Sequence, residues 1–553
     1  MTDSLAAKRL AKAERMASQR LVNDSLMRDI AEHVQPRKAQ SILSDHDHSS
    51  TDETDRLFDT TAMQANQTLG SGMHSNITPM GTIFASIMAP SEVSDGLSYD
   101  VRNWFLKATQ VLHQELAKSN FHSAVDEFYL DHGGFGTAAM LCRMGEKGTL
   151  VFETLEIGTY SIAEGEDRLV DTLYRHYELT PRQIKQRFGD DVSATVEEKA
   201  NDEKSKDVPL KILHCIEPRE GYDPNRIDAE NMPIASDWIL VETQEVLKSS
   251  GFLEQPFAVS RWRLWGKSPY GWSPSYYALP VACQLNFLEQ CIDVGVERAA
   301  FPAWMVPSSL KGEFDPRPHG QNIFDASPGG DAAMPQELQA TGRLDIAVER
   351  EEQKRKVIRE AFFEDLFKLL SRIDKQMTAR EVQELTAEKT TLFHPFFARL
   401  TTEFLSPILK RAFAELLRAG KFGTPPDALF VRTESGWEMD EPEIEFQSRL
   451  ALAHEMGEVS GILQTIEDLA PMAQVVGPQV YDWLHPDRAG AKIARTRGVS
   501  AEVMRTSDEI EEKRQAEIEA AQAEAQAQQA QQLAGAVQSL GGPEQVREMS
   551  EAI

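Results

Sequence analysis

Carboxylates at helical spacing are the residues with the most definite chemistry to offer. Glu289, Asp293 and Glu297 recur at i, i+4 and i+8 within YYALPVACQLNFLEQCIDVGVERAA, which places them in one acidic stripe on one helix. Like charges at that spacing destabilise an isolated helix by roughly 0.2–0.5 kcal/mol per pair. The plain alternative is a solvated face. A further i, i+4 pair, Glu360 and Glu364, stands in DIAVEREEQKRKVIREAFFEDLFKLL, and Lys375 lies in the short hinge after it. Gly266-Lys267-Ser268 imitates the end of a phosphate loop, but Arg261 occupies the position of the motif's first glycine. Gly134-Phe135-Gly136-Thr137-Ala138-Ala139 imitates a dinucleotide fingerprint, yet it follows a helix rather than a strand and reads as a close-packed turn. His46 and His48 sit in a polar linker without a second ligand cluster, and so read as solvated. Neither a nucleophile elbow nor an HExxH pattern is present. The expectation is no enzyme, no cofactor and no metal.

The elements that must carry these residues follow from periodicity. Leu10, Met16, Leu21, Leu26, Ile30 and Val34 predict one amphipathic helix ended by Pro36, and a second helical pattern runs from Leu57 to Met73. VRNWFLKATQVLHQELAKSNFHSAVDEFYL predicts an amphipathic stretch running into Gly133-Gly134. Short alternations from Leu150 to Leu179 predict strands joined by tight turns, with further strands in VPLKILHCIEP and PFAVSRWRLWG. Thr180-Pro181 predicts a helix start, Thr as N-cap and Pro at the first position. From Tyr276 a helix of about 25 residues, about 37 Å long, is expected. A Pro/Gly-rich insert with the apolar runs AWMV and NIF follows, and a second long helix returns from it. After the hinge SRIDKQM a third helix opens on a capping box, Thr378 and Glu381, and carries Pro395 and Pro407, which should kink it. Beyond Gly423 the chain reads as mostly helical, ending in an Ala/Gln/Glu-rich tail.

Composition sets the outer bounds. The 553 residues exceed one ordinary core, so two to four substructures are expected. No run approaches ~20 apolar residues, and the start lacks an apolar signal core, so neither a membrane span nor secretion is expected. The 4 cysteines form no CxxC pair, which fits a reducing compartment. With 87 Asp+Glu against 58 Lys+Arg, the net charge of −29 argues against wrapping nucleic acid with a basic surface.

A set of local sequences then forms a pattern. It comprises Asp59-Thr60-Thr61-Ala62, Gly134 through Ala139 with Gly136 and Thr137, Gly158-Thr159-Tyr160, Glu164-Gly165 and Leu179 through Gln183. It continues with Arg261-Trp262, Tyr270-Gly271, Ala278-Leu279, Leu285-Asn286 and Arg317-Pro318-His319-Gly320. The block Thr378-Ala379-Arg380-Glu381-Val382 through Glu388, Pro395, Arg399-Leu400, Glu403-Phe404-Leu405 and Pro407 to Phe413 is the most specific, and Gly498-Val499 and Arg505 close the set. Over most of its length the chain resembles the portal, or head-to-tail connector, proteins of short-tailed bacteriophages. It departs from them at Ile83-Phe84 and at Ser273.

The resemblance implies an α+β, predominantly helical portal fold. Its parts would be a mixed α/β wing (1–274), stem helices at 275–300 and 345–371 around a small β-containing clip (301–344), and a tunnel loop (372–378). A long kinked wing helix (379–430), a crown (431–507) and a C-terminal barrel helix or tail (508–553) would complete it. It further implies a homo-oligomeric ring, usually of twelve subunits, at one capsid vertex of the virion, assembled in the host cytoplasm. Double-stranded DNA would pass through it. Partners would be the major capsid protein and scaffold, the terminase large subunit, and tail adaptor and nozzle proteins, without a membrane. In such a ring the charge acquires a use. An acidic lining repels phosphates without regard to base sequence, whereas a basic one would hold them. Glu289, Asp293, Glu297, Glu360 and Glu364 are therefore expected to line the channel, with Lys375 as a transient DNA contact. Gly136, Thr137, Thr378, Arg380, Glu381, Pro395 and Pro407 are expected to have structural roles. The competing reading is a non-viral helical ring or coiled-coil scaffold.

Overall fold

In the computed structural model the described residues are 5–38, 57–89, 99–189, 194–301 apart from 224, 225 and 227, 303–306, 315, 336–337, 344–371, 392–447 apart from 434, 435 and 440, and 459, 461–472 and short pieces up to 527. Two compact units divide the chain, Met1–Ala451 and Leu452–Ile553. In the second, residues 461–472 are helical.

The first unit begins with α1 (Leu5–Val34), followed by a short 3-10 turn at Pro36–Lys38. Leu21, expected in the apolar stripe of α1, is instead 62 % exposed. Next come α2 (Thr61–Ile77), β1 (Ala85–Met88), α3 (Tyr99–Lys118) and α4 (Phe121–Phe135). The single stretch expected for the last two is broken at Ser119-Asn120, where the Asn120 amide exchanges hydrogen bonds with the backbone of Phe152. β2 (Thr137–Met144), β3 (Leu150–Leu155), β4 (Tyr160–Glu164) and β5 (Val170–Leu179) follow. α5 (Pro181–Phe188) opens on a capping box between Thr180 and Gln183. α6 (Ala194–Asn201), β6 (Leu210–Pro218), β7 (Ile234–Leu240), β8 (Glu245–Phe252) and β9 (Phe257–Arg261) complete this half.

The sheets among the described residues are antiparallel. Of the two largest, one has the order β4-β5-β6-β7-β8 and the other β3-β2-β9, and three further sheets are two-stranded. The larger is covered on both faces, which explains why β6 reads as a nearly continuous apolar run. On one side Leu213, Cys215, Tyr174 and Ile239 meet Ala6, Ala13 and Met16 of α1. On the other, Ile212, Leu240 and Trp238 meet Ile184 and Val196 of the short helices.

The 27-residue α7 (Pro274–Ala300) is joined to α8 (Leu344–Ala361) through an insert in which β10 (Trp304–Met305) pairs with β11 (Gln336–Glu337). The return helix is not one piece. It stops at Ala361, turns through Phe362 and Phe363, and resumes as α9 (Glu364–Ser371). Phe363 has φ 56, in the left-handed region. Two adjacent aromatics cannot share one helical face. Phe362 is fully buried, while Phe363 packs on Phe393 and Phe396 at 5.5 and 5.7 Å. α9 lies close against α2, where a Cβ at Gly72 would run into the Phe367 ring.

Residues 392–400 (α10) continue through a π-helical turn, Thr401–Leu405, into α11 (Ser406–Arg418). Pro395 lies within the described part of α10. Pro407, which has no N–H to donate, follows the π turn at the start of α11. The capping box of Thr378 and Glu381, and Arg380 between them, lie outside the described residues.

The mostly helical reading beyond Gly423 is corrected for residues 430–446, while the described residues from 459 onward are helical. β12 (Phe430–Thr433) and β13 (Gly436–Met439) form a hairpin, and β14 (Glu443–Phe446) pairs with β1. FVRT, GWEM and EIEF are each too short to show a helical period, and their partners supply the order. β1, β2, β7 and β8 likewise have no counterpart in the sequence reading.

Candidate functional site

α7 and α8 run side by side, and one cation organises their junction with the body. Arg355 Nε donates to Asp59 Oδ2 at 3.2 Å, Nη2 contacts Glu289, and Nη1 lies 3.7 Å from Glu351 Oε2. Asp59 also holds the start of α2, its Oδ1 accepting from the Thr61 amide at 2.7 Å. Asn286 Oδ1 accepts from the amides of Phe58 and Asp59 at 2.6 and 3.2 Å. The start of α2 is thereby tied to both long helices. Burial, then Glu351, raises the Glu289 pKa, against the opposing pull of Arg355. Burial also works against the Arg355 charge, but Asp59, Glu289 and Glu351 outweigh it and raise its pKa.

The acidic stripe therefore divides. Four residues overshoot one helical turn, so each successive member steps about 40° around α7. Glu289 is turned to α8 and neutralised there, whereas Asp293 and Glu297 are exposed and carry no ion pair among the described residues. The second acidic pair is not realised as i, i+4, because the break at Phe362-Phe363 separates its members. Glu360 is exposed beside Lys356, and Glu364 is buried at the start of α9 with Lys368 and Arg359. Lys375 lies outside the described residues, as do His46 and His48.

α7 and the residue that ends it, Phe301, also leave an apolar seam in the open. Phe287, Val294 and Phe301 are 66, 42 and 74 % exposed. They recur every seven residues, the spacing at which one helix seats against another.

The residues beneath are structural. Gly136 ends α4 with φ 76, and a Cβ there would lie 2.7–2.9 Å from the backbones of Ser273 and Gly271. Thr137 Oγ1 accepts from the Gly271 amide at 2.7 Å, which fixes the approach to α7. Gly266-Lys267-Ser268 stands in the turn closed by the Leu264–Gly271 bridge, with no helix following it directly. Arg261, 1 % exposed, holds Glu403 of the π turn, Nη2 to Oε1 at 2.8 Å, and contacts Glu164. Two distant sequence blocks, Arg261-Trp262 and Glu403-Phe404, meet in this pair. Among the described residues no three His, Cys, Asp or Glu side chains are placed to hold a metal ion, and no helix is long and apolar enough to cross a membrane.

Sequence reasoning passed over Arg355, because a lone basic residue in a charged helix carries no signal. The Asp-x-Thr at the start of α2 was the available clue, as an Asp side chain bonds the amide two residues on in a turn.

The described residues form a mixed α/β body carrying two long helices around an insert. Residues 6–504 match the family described as bacteriophage head to tail connecting protein, and the chain belongs to that family. It is similar to the portal protein of Salmonella phage epsilon15, 27 % identical over 521 residues, 93 % of this chain and 91 % of that protein. It is also similar to the probable portal protein of Bordetella phage BPP-1, 26 % identical over 485 residues, 86 % of this chain and 84 % of that protein. Family and relatives support a phage portal function in a virion capsid component, and they give no support to a non-viral scaffold.

Proposed function

We propose that the chain forms a ring of twelve subunits at one capsid vertex. Double-stranded DNA passes through it inward during packaging and outward during ejection. The body is the wing, α7 with α8 and α9 the stem, and the insert the clip. Residues 372–378 form the tunnel loop, and the C-terminal unit forms crown and barrel. The terminase large subunit, and later the tail adaptor and nozzle proteins, dock at the clip, while the major capsid protein and scaffold surround the ring. Assembly takes place in the host cytoplasm.

The observation that carries this reading is the division of labour on α7. The heptad seam of Phe287, Val294 and Phe301 is suited to a second copy of the chain, because an exposed apolar stripe of this kind is stabilised by burial. Asp293 and Glu297 remain charged and exposed, and repeated around a ring they repel the DNA backbone. Glu289 belongs to the same acidic flank, but its charge is cancelled within the subunit by Arg355. Lys375 is the basic exception that touches DNA in passing.

Electron micrographs of the purified protein should show rings with a hole wide enough for a duplex. Asp293→Lys with Glu297→Lys should leave the rings intact and slow packaging through phosphate binding. Particles without a hole, or unchanged packaging by the variant rings, would refute the respective half of the reading.

A further inference from the structure

Residues 78–84, between α2 and β1, carry two exposed apolar side chains, Met80 at 71 % and Ile83 at 43 %. Gly81, with φ 83, makes the turn between them. Three histidines stand at the two ends of this loop, and one of them, His113, bonds it through its ring. His74 lies in the last turn of α2, and its carbonyl accepts from the Thr78 amide at 3.1 Å. Its Nε2 lies 3.2 Å from His122 Nδ1 on α4. At the other end, His113 of α3 donates from Nδ1 to the Thr109 carbonyl at 2.9 Å, which leaves Nε2 bare to accept from the Phe84 amide at 3.3 Å.

Proton counting sets the behaviour of this arrangement. A hydrogen bond between two imidazoles needs one donor and one acceptor nitrogen. The His74–His122 pair can take one proton on an outer nitrogen and keep its contact. A second proton must go onto the accepting nitrogen, which sets two N–H groups against each other. His113 cannot take even one proton at Nε2 without facing the Phe84 N–H. Phe84 is 1 % exposed, its ring lies 4.8 Å from that of His113, and its carbonyl accepts from Gln447 at 2.7 Å beside the β1–β14 pairing.

Few charges stand near the rings, and β14, paired with β1, brings Glu443 and Glu445. α2 and β1 contain no Asp, Glu, Lys or Arg. On α4, Asp126 faces His74 Nδ1 at 3.9 Å. On α3, Glu115 is engaged by Lys118 and Lys421. Burial lowers the pKa of His74, His113 and His122, with Asp126 opposing at His74 and the Thr109 carbonyl opposing at His113.

We propose that His74, His113 and His122 form an acid-sensitive latch on residues 78–84, and that proton uptake releases this loop together with the start of β1. The sign follows from linkage. The closed latch favours neutral rings, so it is stable above the ordinary imidazole range and weakens as pH falls below about 6.5. Each proton taken up on opening raises the opening constant by up to about tenfold per pH unit. Two protons, one at His113 and the second on the pair, give about a hundredfold.

Hydrogen exchange of the full-length protein tests this, read at pH 8 and pH 5 after correction for intrinsic rates. Protection of residues 78–84 should fall by at least about a hundredfold more than that of β6. His113→Gln, whose amide oxygen still accepts from Phe84 but does not titrate, should reduce the slope to about one proton. A His74→Gln, His122→Gln double variant should remove the other. A loop whose protection tracks β6 in the wild type, or slopes unchanged in both variants, would overturn the proposal.

Discussion

Replacing Arg355 with methionine keeps most of the side-chain volume on α8 and removes the guanidinium that Asp59, Glu289 and Glu351 share. Those carboxylates are only 10, 19 and 7 % exposed at their side chains, so water cannot fully replace the lost partner. Hydrogen bonds to charged groups contribute about 1.5–3 kcal/mol each. Arg355 makes two good ones, to Asp59 and Glu289, and a weaker contact to Glu351. Escape by protonation limits the loss, since neutralising one ordinary glutamate at pH 7 costs about 3–4 kcal/mol. The expected loss is therefore about 2–4 kcal/mol near pH 7.5. It should shrink toward pH 5. The Glu289 pKa is already raised by burial and Glu351, and rises further without the cation, so the folded variant takes up protons and regains stability as pH falls. Urea unfolding reads the total, and hydrogen exchange at Phe58, Asp59 and Thr61 reads the site, because these amides depend on Asn286 and Asp59. A loss below about 1 kcal/mol, or one independent of pH, would refute the assignment of Arg355 as the cation of this junction.

Gly136→Ala should cost about 3 kcal/mol in urea unfolding, because a left-handed φ is combined with a clash against backbone that has no side chain to move; a loss under about 1 kcal/mol would mean that the 271–273 segment yields. Glu403→Leu removes the buried carboxylate partner of Arg261, leaving it Glu164 as its one carboxylate, and should cost about 3 kcal/mol, with Glu403→Gln recovering part of it. If both variants are neutral, the π turn is not held by this pair. In the dissociated subunit two thiols, Cys283 and Cys291, should react promptly with a thiol reagent at pH 8. Cys142 and Cys215, each pushed up to about 12 by burial, should react only on unfolding. Three or four prompt thiols would contradict the buried positions.

Long elements with an unbroken period were legible. α1 and α7 could be located from their apolar spacing, and the start of α5 from Thr180-Pro181 alone. What escaped was set by partners far along the chain. β1 and β14 are four residues each, and neither is a strand until it meets the other. The break after Ala361 depends on Phe393 and Phe396, which receive Phe363 from beyond the hinge. The acidic stripe was visible as a spacing. That spacing could not show that Glu289 faces a guanidinium on the returning helix while Asp293 and Glu297 turn to solvent.

The first helix has a consequence for the order of synthesis. Arg9 binds Asp237, 228 residues later, and Asp59 binds Arg355, 296 residues later. At about 5–20 residues per second, α1 leaves the ribosome roughly 10–50 s before its sheet exists. Closure comes later still, when β14 reaches β1 across Ala85 and Phe446. A chain ended before Ile239 would keep α1's apolar face open, and one ended before Phe446 would keep the β1 edge open, and such surfaces are taken up by chaperones and proteases. Completion of translation up to residue 446 is thus a condition for a subunit fit to join its neighbours, a form of quality control written into the long-range pairing.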